Sequence, residues 1–520
     1  MPSQAGAWLG GAEPRSEIVR EKGREFLMDQ EECRFSVRSA VLRGVEAVPV
    51  QVEVSVSRGV PGFSIVGMAD ASVQESRERV KAALRGCGFA VPSGRIVVSL
   101  APCALRKTGA GFDLPIAAAL LAATGQIDPA TVEGALIVGE LSLLGEAWPV
   151  PGMVAYGALA RKQGLALMCA REDAGLSIVC GLDRRCVDSL ADLRCGAFAK
   201  PKALPVARGG AALDYADIPG CERAKRALQV AAAGGHHALL LGSSDAPKAA
   251  LAARLPTIMP PLAEAEILET ATVYSAAGEE AGLIHGGARP FRSPHHSASL
   301  AGLVGGGAPL RPGEVSLASN GVLFLDDLDK FNPFVLQGVH QALESGRVTV
   351  TRADGNVDFP ARFMLAAAAS PCPCGHYGDE REGCTCTTGR FGAYRARLGG
   401  PLGGCFAVRA HVGAAEALRG APSASSAKLR EGVIRAREFA AWRGGRDEGR
   451  LSRRSALGDA LRACRLDGEG ERLFGALASG CGMGGGGVAA TLAVARTVAD
   501  MEERERVGRE DLLEAFSLNG

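Results

Sequence analysis

Residues 238–249 read Ala238-Leu239-Leu240-Leu241-Gly242-Ser243-Ser244-Asp245-Ala246-Pro247-Lys248-Ala249, an apolar run ending in a glycine with a lysine six residues later. This is the frame of the loop G-x-x-x-x-G-K-[ST], in which backbone N–H groups wrap a polyphosphate and the lysine adds charge. Pro247 replaces the second glycine and Ala249 the terminal hydroxyl residue. Alone, so reduced a match decides nothing. A second stretch gives it meaning: Val322-Leu323-Phe324-Leu325, followed by Asp326 and Asp327. Such a run reads as a parallel strand buried on both faces, with carboxylates at its carboxyl end. Ligands of open α/β sheets bind beyond that edge, so the two segments are expected to face one site from adjacent strands. Lys248 would meet phosphate and Asp326 would hold magnesium. The alternation of strands and helical segments from about Leu213 to His411 predicts a doubly wound sheet.

A chain of 520 residues has room for roughly three or four domains. With 58 Lys+Arg against 57 Asp+Glu it carries a formal charge of +1, so no global basic field attracts nucleic acid and any such contact must come from a local patch or from oligomer geometry. No run of apolar residues is long enough to span a membrane, and Met1 to Glu32 has no apolar leader core, which predicts a cytoplasmic protein without a membrane partner. Residues 1–33 carry no pattern and are expected to be a disordered extension, with Met28 as an alternative start. Fifteen cysteines, an odd number, favour reduced thiols, and Cys87, Cys103 and Cys180 are expected to be small core residues. Residues 34–205 read as an α+β domain, with Val50, Val52, Val54 and Val56 alternating along a strand, a helix from Ser72 to Leu84 and a strand from Arg95 to Leu100. The Pro- and Gly-rich stretch 200–210 marks its end, residues 206–415 the sheet domain, and residues 416–520 a helical part. Helical periodicity there covers Lys428–Trp442, Arg454–Cys464, Glu471–Ala478 and Ala489–Glu503, and the glycines 484–487 are expected to weaken a helix start.

From about Arg34 onward the chain resembles the magnesium-chelatase-like AAA+ ATPases of the ComM/YifB type. The resemblance is carried by Gly59 to Gly67, Glu75 to Val80, Gly111 to Ala117, Ala231 to His236, Arg289 to His296 and Pro371 to Gly375, all in the same order. It implies a Lon-protease-like first domain, of the fold also used by ribosomal protein S5 domain 2, then a P-loop AAA+ core and a small all-α lid. It also implies ATP with magnesium as cofactor, a hexamer, and DNA as the partner of an ATP-dependent motor that moves branched strands in transformation and recombination.

Part by part, the implied nucleotide site is incomplete. Gly242, Ser243, Ser244, Asp245, Lys248 and Ala249 occupy the cofactor-binding positions. Asp245 stands where relatives have glycine; its charge would repel a phosphate about 4 Å away by roughly 4 kcal/mol at an effective dielectric near 20, comparable to what Lys248 returns. Pro247 removes an N–H whose bond to a charged group is worth about 1.5 to 3 kcal/mol. Ala249 offers magnesium no oxygen. Asp326 matches the metal-associated aspartate, Asp327 replaces the catalytic glutamate with a reach shorter by about 1.5 Å, and Ser370 stands for the sensor asparagine. By the same alignment the arginine that completes a neighbouring site falls on Cys405 and the lid arginine on Gly486; a slipped alignment would leave those roles to Arg395, Arg397 or Arg409. Such an arginine contributes a factor of about 10³ to 10⁵ in turnover.

Cys372-x-Cys374 and Cys384-x-Cys386 place four soft ligands in one loop, enough for a structural tetrahedral zinc; the alternative is four reduced thiols. His295 and His296 point apart if the chain is extended, favouring a loop or interface role over a shared metal. Gly111 falls at the Lon-type serine position, leaving no nucleophile. Arg77, Arg79, Lys81 and Arg85 with Glu75 and Glu78 read as a solvated mixed-charge helix face, with a nucleic-acid contact as the alternative. The resulting expectation is a family member with impaired or absent ATPase activity. Its rivals are a slow but genuine DNA motor, a regulatory subunit in a hetero-oligomer with an intact paralogue, and a chelatase-type subunit.

Overall fold

Five short strands, all parallel, form the sheet on which residues 238–249 lie, in the spatial order Phe291–Arg292, Val322–Leu325, Met364–Ala369, Ala238–Leu241 and Val408–His411. They belong to a computed structural model that describes residues 32–171, 174–201, 213–352, 355–378, 383–413, 424–444, 457–480 and 485–519. The expectations for residues 1–31, most of the stretch 200–210 and residues 414–423 lie outside the described residues. The doubly wound parallel sheet is present, with one correction. Ala238–Leu241 and Val322–Leu325 are not neighbours, because Met364–Ala369 runs between them. Register pairs Leu241 with Ala369 and Leu325 with Ala367, so all three strands still end at one edge.

The three central strands, Val322–Leu325, Met364–Ala369 and Ala238–Leu241, have no polar side, and both faces are covered. Ala238, Leu240, Phe324, Ala366, Ala368 and Val408 share one core with the helix Glu222–Gly234 and the carboxyl-terminal helices. Leu239, Leu323, Leu325, Leu365 and Ala367 pack instead beneath the helix Pro333–Ser345 and the hairpin formed by Arg347–Arg352 and Gly355–Pro360. Asn332 begins that helix by accepting the Phe334 N–H at 2.9 Å, and Gly346 at φ 69° ends it.

The carboxyl-terminal helices are Ser426–Gly444, Leu457–Cys464, Gly468–Gly480, Gly485–Met501 and Arg509–Asn519. The expected helices exist with shifted ends, residues 454–456 lying outside the described residues, and the fifth was not anticipated. One begins at Gly485, inside the glycine run, because its buried stretch Ala489–Met501 gains from packing what the glycines lose in propensity. Buried Ser426 ties this part to the sheet: its Oγ accepts the Tyr215 N–H at 2.9 Å and lies 2.8 Å from Thr257 Oγ1, while its N–H donates to Asp214.

Residues 32–201 build a seven-stranded mixed sheet in the order Gly62–Val66, Arg95–Ala101, Glu46–Ser57, Glu32–Arg43, Ala135–Ile137, Ala166–Ala170 and Arg184–Val187. Along Glu46–Ser57 the four valines are buried while Gln51 and Glu53 face water, as the alternation predicts. Helices Ala71–Gly86 and Asp113–Ala123 cover one face and Met153–Lys162 the other. The last also packs on Glu264–Ala277, where Ser275 accepts the N–H groups of Gly152 and Val154. A second junction forms where Gly44, at φ 66° in the turn after the first strand, meets Val357 of the hairpin; a Cβ there would lie 2.4 Å from Val357 Cγ1.

The mixed-charge reading of Ala71–Gly86 needs a correction at Arg79. Its guanidinium turns inward onto the fully buried Asp113, with Nε–Oδ2 at 2.6 Å and Nη2–Oδ1 at 3.0 Å, and Asp113 also accepts the Leu141 N–H. Arg77 and Lys81 do pair at the surface with Glu78. Cys103 and Cys180 are exposed and Cys87 is half-buried, against the expectation of core thiols. Among the described residues no helix is long and apolar enough to cross a membrane.

Removing one partner of a buried pair leaves the other charge uncompensated. Asp113→Ala is therefore expected to destabilise the protein by on the order of 3 kcal/mol in denaturant unfolding. A loss below about 1 kcal/mol would place Arg79 in water rather than on the carboxylate.

Candidate functional site

The loop after Ala238–Leu241 turns sharply because Gly242 passes against the backbone: a Cβ there would lie 2.4 Å from the Val412 carbonyl oxygen. Gly242 N–H donates to Ala369 and Val412 N–H to Leu241, fastening the loop to both neighbouring strands. Pro247 directly precedes the helix Lys248–Ala253 and makes no side-chain cap. Lys248 is 6% exposed. Its Nζ donates to the loop's own carbonyls, Gly242 O at 2.8 Å and Ser243 O at 2.5 Å.

Electrostatically this amine sits among acids. Burial pulls its pKa below the ordinary lysine range, opposed by the carboxylates of Asp326, Asp327, Asp245 and Asp329 in that order. Asp245 is exposed and accepts from Ser244 Oγ at 3.2 Å. Ala249 is exposed as well.

Asp326 and Asp327 follow Val322–Leu325 at the same edge, both half-buried. Asp326 Oδ1 accepts the Asp327 N–H at 3.0 Å. Asp327 adopts the left-handed conformation, φ 51°, and its Oδ2 pairs with Lys330 Nζ at 2.7 Å. The carboxylate in the glutamate's place is therefore shorter and already partnered. Ser370 lies at the end of the strand between the loop and the acidic pair, so the structure brings Lys248, Asp326, Asp327 and Ser370 to one edge.

Tyr394, which the sequence reading did not single out, belongs here. Its hydroxyl donates to Ser370 O at 2.8 Å, and burial, with Asp329 nearby, pushes its pKa up. Its only signal in the sequence is an aromatic residue within an Arg-rich helix.

The positions matched to arginines are not at the edge. Cys405 is buried in the core beneath Pro333–Ser345. Gly486 is exposed at the start of its helix. Of the alternatives, Arg395 lies over Phe391 at 5.9 Å, Arg397 is exposed, and Arg409 donates to the carbonyls of Gly403 and Asn519. In the first sheet Gly111 faces the side chains of Val138 and Val150.

Cys372, Cys374, Cys384 and Cys386 are drawn together, their sulfurs all within 4.8 Å of one another. Cys372–Cys374, Cys374–Cys384 and Cys384–Cys372 stand at 3.2, 3.6 and 3.7 Å. A tetrahedral ZnS₄ centre needs sulfur–sulfur edges of about 3.8 Å, given Zn–S bonds near 2.3 Å. The His376 N–H and the Cys372 thiol hold the Cys374 pKa down to about 5, while burial pushes Cys386 up to about 12. The donor set fits zinc. His295 and His296 do not point apart: their ring centroids lie 4.0 Å apart with the planes tilted by 37°, and His295 Nδ1 lies 2.7 Å from Ser297 Oγ.

Three family matches tile the chain: "Subunit ChlI of Mg-chelatase" over residues 52–173, "Magnesium chelatase, subunit ChlI" over 214–418 and "Magnesium chelatase, subunit ChlI C-terminal" over 423–519. The chain is 35% identical over 491 residues to the uncharacterized protein YifB of Salmonella typhimurium, covering 92% of this chain and 96% of that one. It is 36% identical over 496 residues to the competence protein ComM of Haemophilus influenzae, again covering 92% and 96%. A parallel sheet with a glycine-and-lysine loop at its edge, matched across nearly the whole length of these relatives, places the chain in the magnesium-chelatase-like family of the ComM and YifB proteins.

Proposed function

We propose that this chain is a nucleotide-binding member of its family with impaired or absent hydrolysis, a cytoplasmic subunit of an oligomeric ring that engages DNA in competence-linked recombination. The name of the Haemophilus relative supports the link to competence. The resemblance supports a Lon-like first domain over residues 34–205, an AAA+ core over 206–415, a helical lid over 416–520, and a ring built from copies of this chain or shared with an intact paralogue.

One observation carries the reading: the single lysine of the loop is held by that loop's own carbonyls while four aspartates act on it. A triphosphate entering this edge meets more negative than positive charge and must draw Lys248 away from two hydrogen bonds. Magnesium on Asp326 would offset part of the repulsion, but Ala249 gives the ion no hydroxyl and Asp327 is tethered to Lys330. In this reading Gly242, Ser243, Ser244, Asp245, Lys248 and Ala249 line the nucleotide, Asp326 takes the metal, and Asp327 and Ser370 stand where water is activated and the γ-phosphate sensed. With Cys405 in the core, no arginine from that position reaches a neighbouring subunit. Binding survives better than turnover.

The four cysteines hold a structural zinc, since four thiolates leave no open coordination position. The knot anchors the segment from Ser370 to the helix Thr388–Leu398, which carries Tyr394 back against Ser370 O.

Calorimetry with Mg-ATP is expected to show weak binding, reduced about tenfold or more by Lys248→Ala. Phosphate release should not exceed that of the Lys248→Ala protein, with or without branched DNA. DNA-stimulated turnover that disappears in Lys248→Ala would overturn the reading. Native mass spectrometry is expected to find one zinc per chain, lost from the Cys374→Ser/Cys384→Ser double variant along with some thermal stability. Four thiols that react freely in the native protein, with no bound metal, would dismiss the zinc.

A further inference from the structure

Beside the acidic pair opens a cleft of about 720 Å³, an open groove rather than an enclosed cavity, lined by His296, Ser297, Ser299, Lys330, Phe334 and Arg397 among others. Four separate segments supply these residues: the stretch after Phe291–Arg292, the turn after Asp327, the first turn of Pro333–Ser345, and the helix Thr388–Leu398. Among the described residues no carboxylate lines it. Its two cations are Lys330, whose ammonium is paired with Asp327, and the exposed Arg397, with hydroxyls for further hydrogen bonds. Phe334 is 64% exposed on the same wall, a large aromatic ring left in water next to two cations.

We propose that this cleft binds a single strand of nucleic acid, with Lys330 and Arg397 on its phosphates and a base stacked on Phe334. Cations tracking a backbone beside an exposed ring are the two elements that sequence-tolerant single-strand binding requires. A small anion has no use for the ring, and a duplex keeps its bases stacked inside, out of Phe334's reach. The proposal rests on the reading of the chain as a DNA-engaging protein and names where that contact is made.

Lys330 also links the cleft to the sheet edge. Its ammonium lines the groove and at the same time pairs with Asp327 at 2.7 Å. A phosphate that recruits Lys330 competes with that pair and releases the Asp327 carboxylate. Strand and nucleotide therefore bias one another through a shared cation, and the coupling is reciprocal.

Fluorescence anisotropy of the full-length protein with a labelled oligothymidylate tests this. Phe334→Ala, an exposed position whose loss leaves the melting temperature unchanged, is expected to weaken binding about 5- to 100-fold. Arg397→Ala should lower the slope of log affinity against log salt by about 0.7. Inorganic polyphosphate, which lacks bases, should bind Phe334→Ala as well as it binds the wild type and Arg397→Ala less well. Absence of oligothymidylate binding by the wild type, equal affinity of wild type and Phe334→Ala, or equal loss of polyphosphate by Phe334→Ala would each overturn the site. Saturation with a non-hydrolysable ATP analogue should shift the oligothymidylate affinity of the wild type and leave that of Lys330→Met unchanged; an unshifted wild type that binds the analogue by calorimetry overturns the link. Failure to bind the analogue at all, with oligothymidylate binding intact, refutes the nucleotide reading and leaves the cleft standing.

Discussion

The three central strands of the parallel sheet have no polar side and must be covered on both faces, and the elements packed around them do so. Alternate residues of each of these three belong to two different cores. One receives the helix Glu222–Gly234 and the carboxyl-terminal helices; the other receives Pro333–Ser345 and the hairpin against which the turn at Gly44 rests. Exposing either face would return several leucine- and phenylalanine-sized surfaces to water, at about 1.5 to 3 kcal/mol for each large side chain. The same constraint leaves only the strand ends free for chemistry, which is why the loop, the acidic pair and Ser370 meet at one edge.

Charge at that edge is unevenly distributed. Lys248 is buried and its three-donor ammonium is bonded to carbonyls, while the carboxylates of Asp326, Asp327, Asp245 and Asp329 act on it from around the crevice. The framework that positions a phosphate loop is intact: Gly242 still passes under Val412 O, and strand register is kept. What is reduced is the set of donors and metal ligands displayed on it. Folding depends on burial and backbone pairing, nucleotide chemistry on a few polar atoms at the strand ends, so the two make separate demands on the sequence.

Tyr394 and the cysteine cluster show how tightly the edge is braced. Four sulfurs from either side of residues 379–382 lie together, and Tyr394 of the helix Thr388–Leu398 places a buried hydroxyl on the Ser370 carbonyl. The same helix carries Arg397 into the cleft beside the acidic pair. Asp327, Lys330 and the cleft form a continuous path from the sheet edge to the surface.

The sequence by itself determined the buried strands, four of the five carboxyl-terminal helices and the order of the chemical groups, because alternating valines, all-apolar runs and the glycine-lysine frame are local patterns read within a dozen residues. It also brought the four cysteines into view as a set, since they lie in one loop. Only the tertiary structure decided that Met364–Ala369 separates the loop strand from the acidic strand, that Arg79 turns inward to Asp113, that Cys405 belongs to a core, and that a helix begins among glycines at Gly485. Each of these depends on which distant surface covers a residue. Burial is a property of the partners a side chain meets, and those partners are set by packing across long sequence separations rather than by the residue's own neighbours.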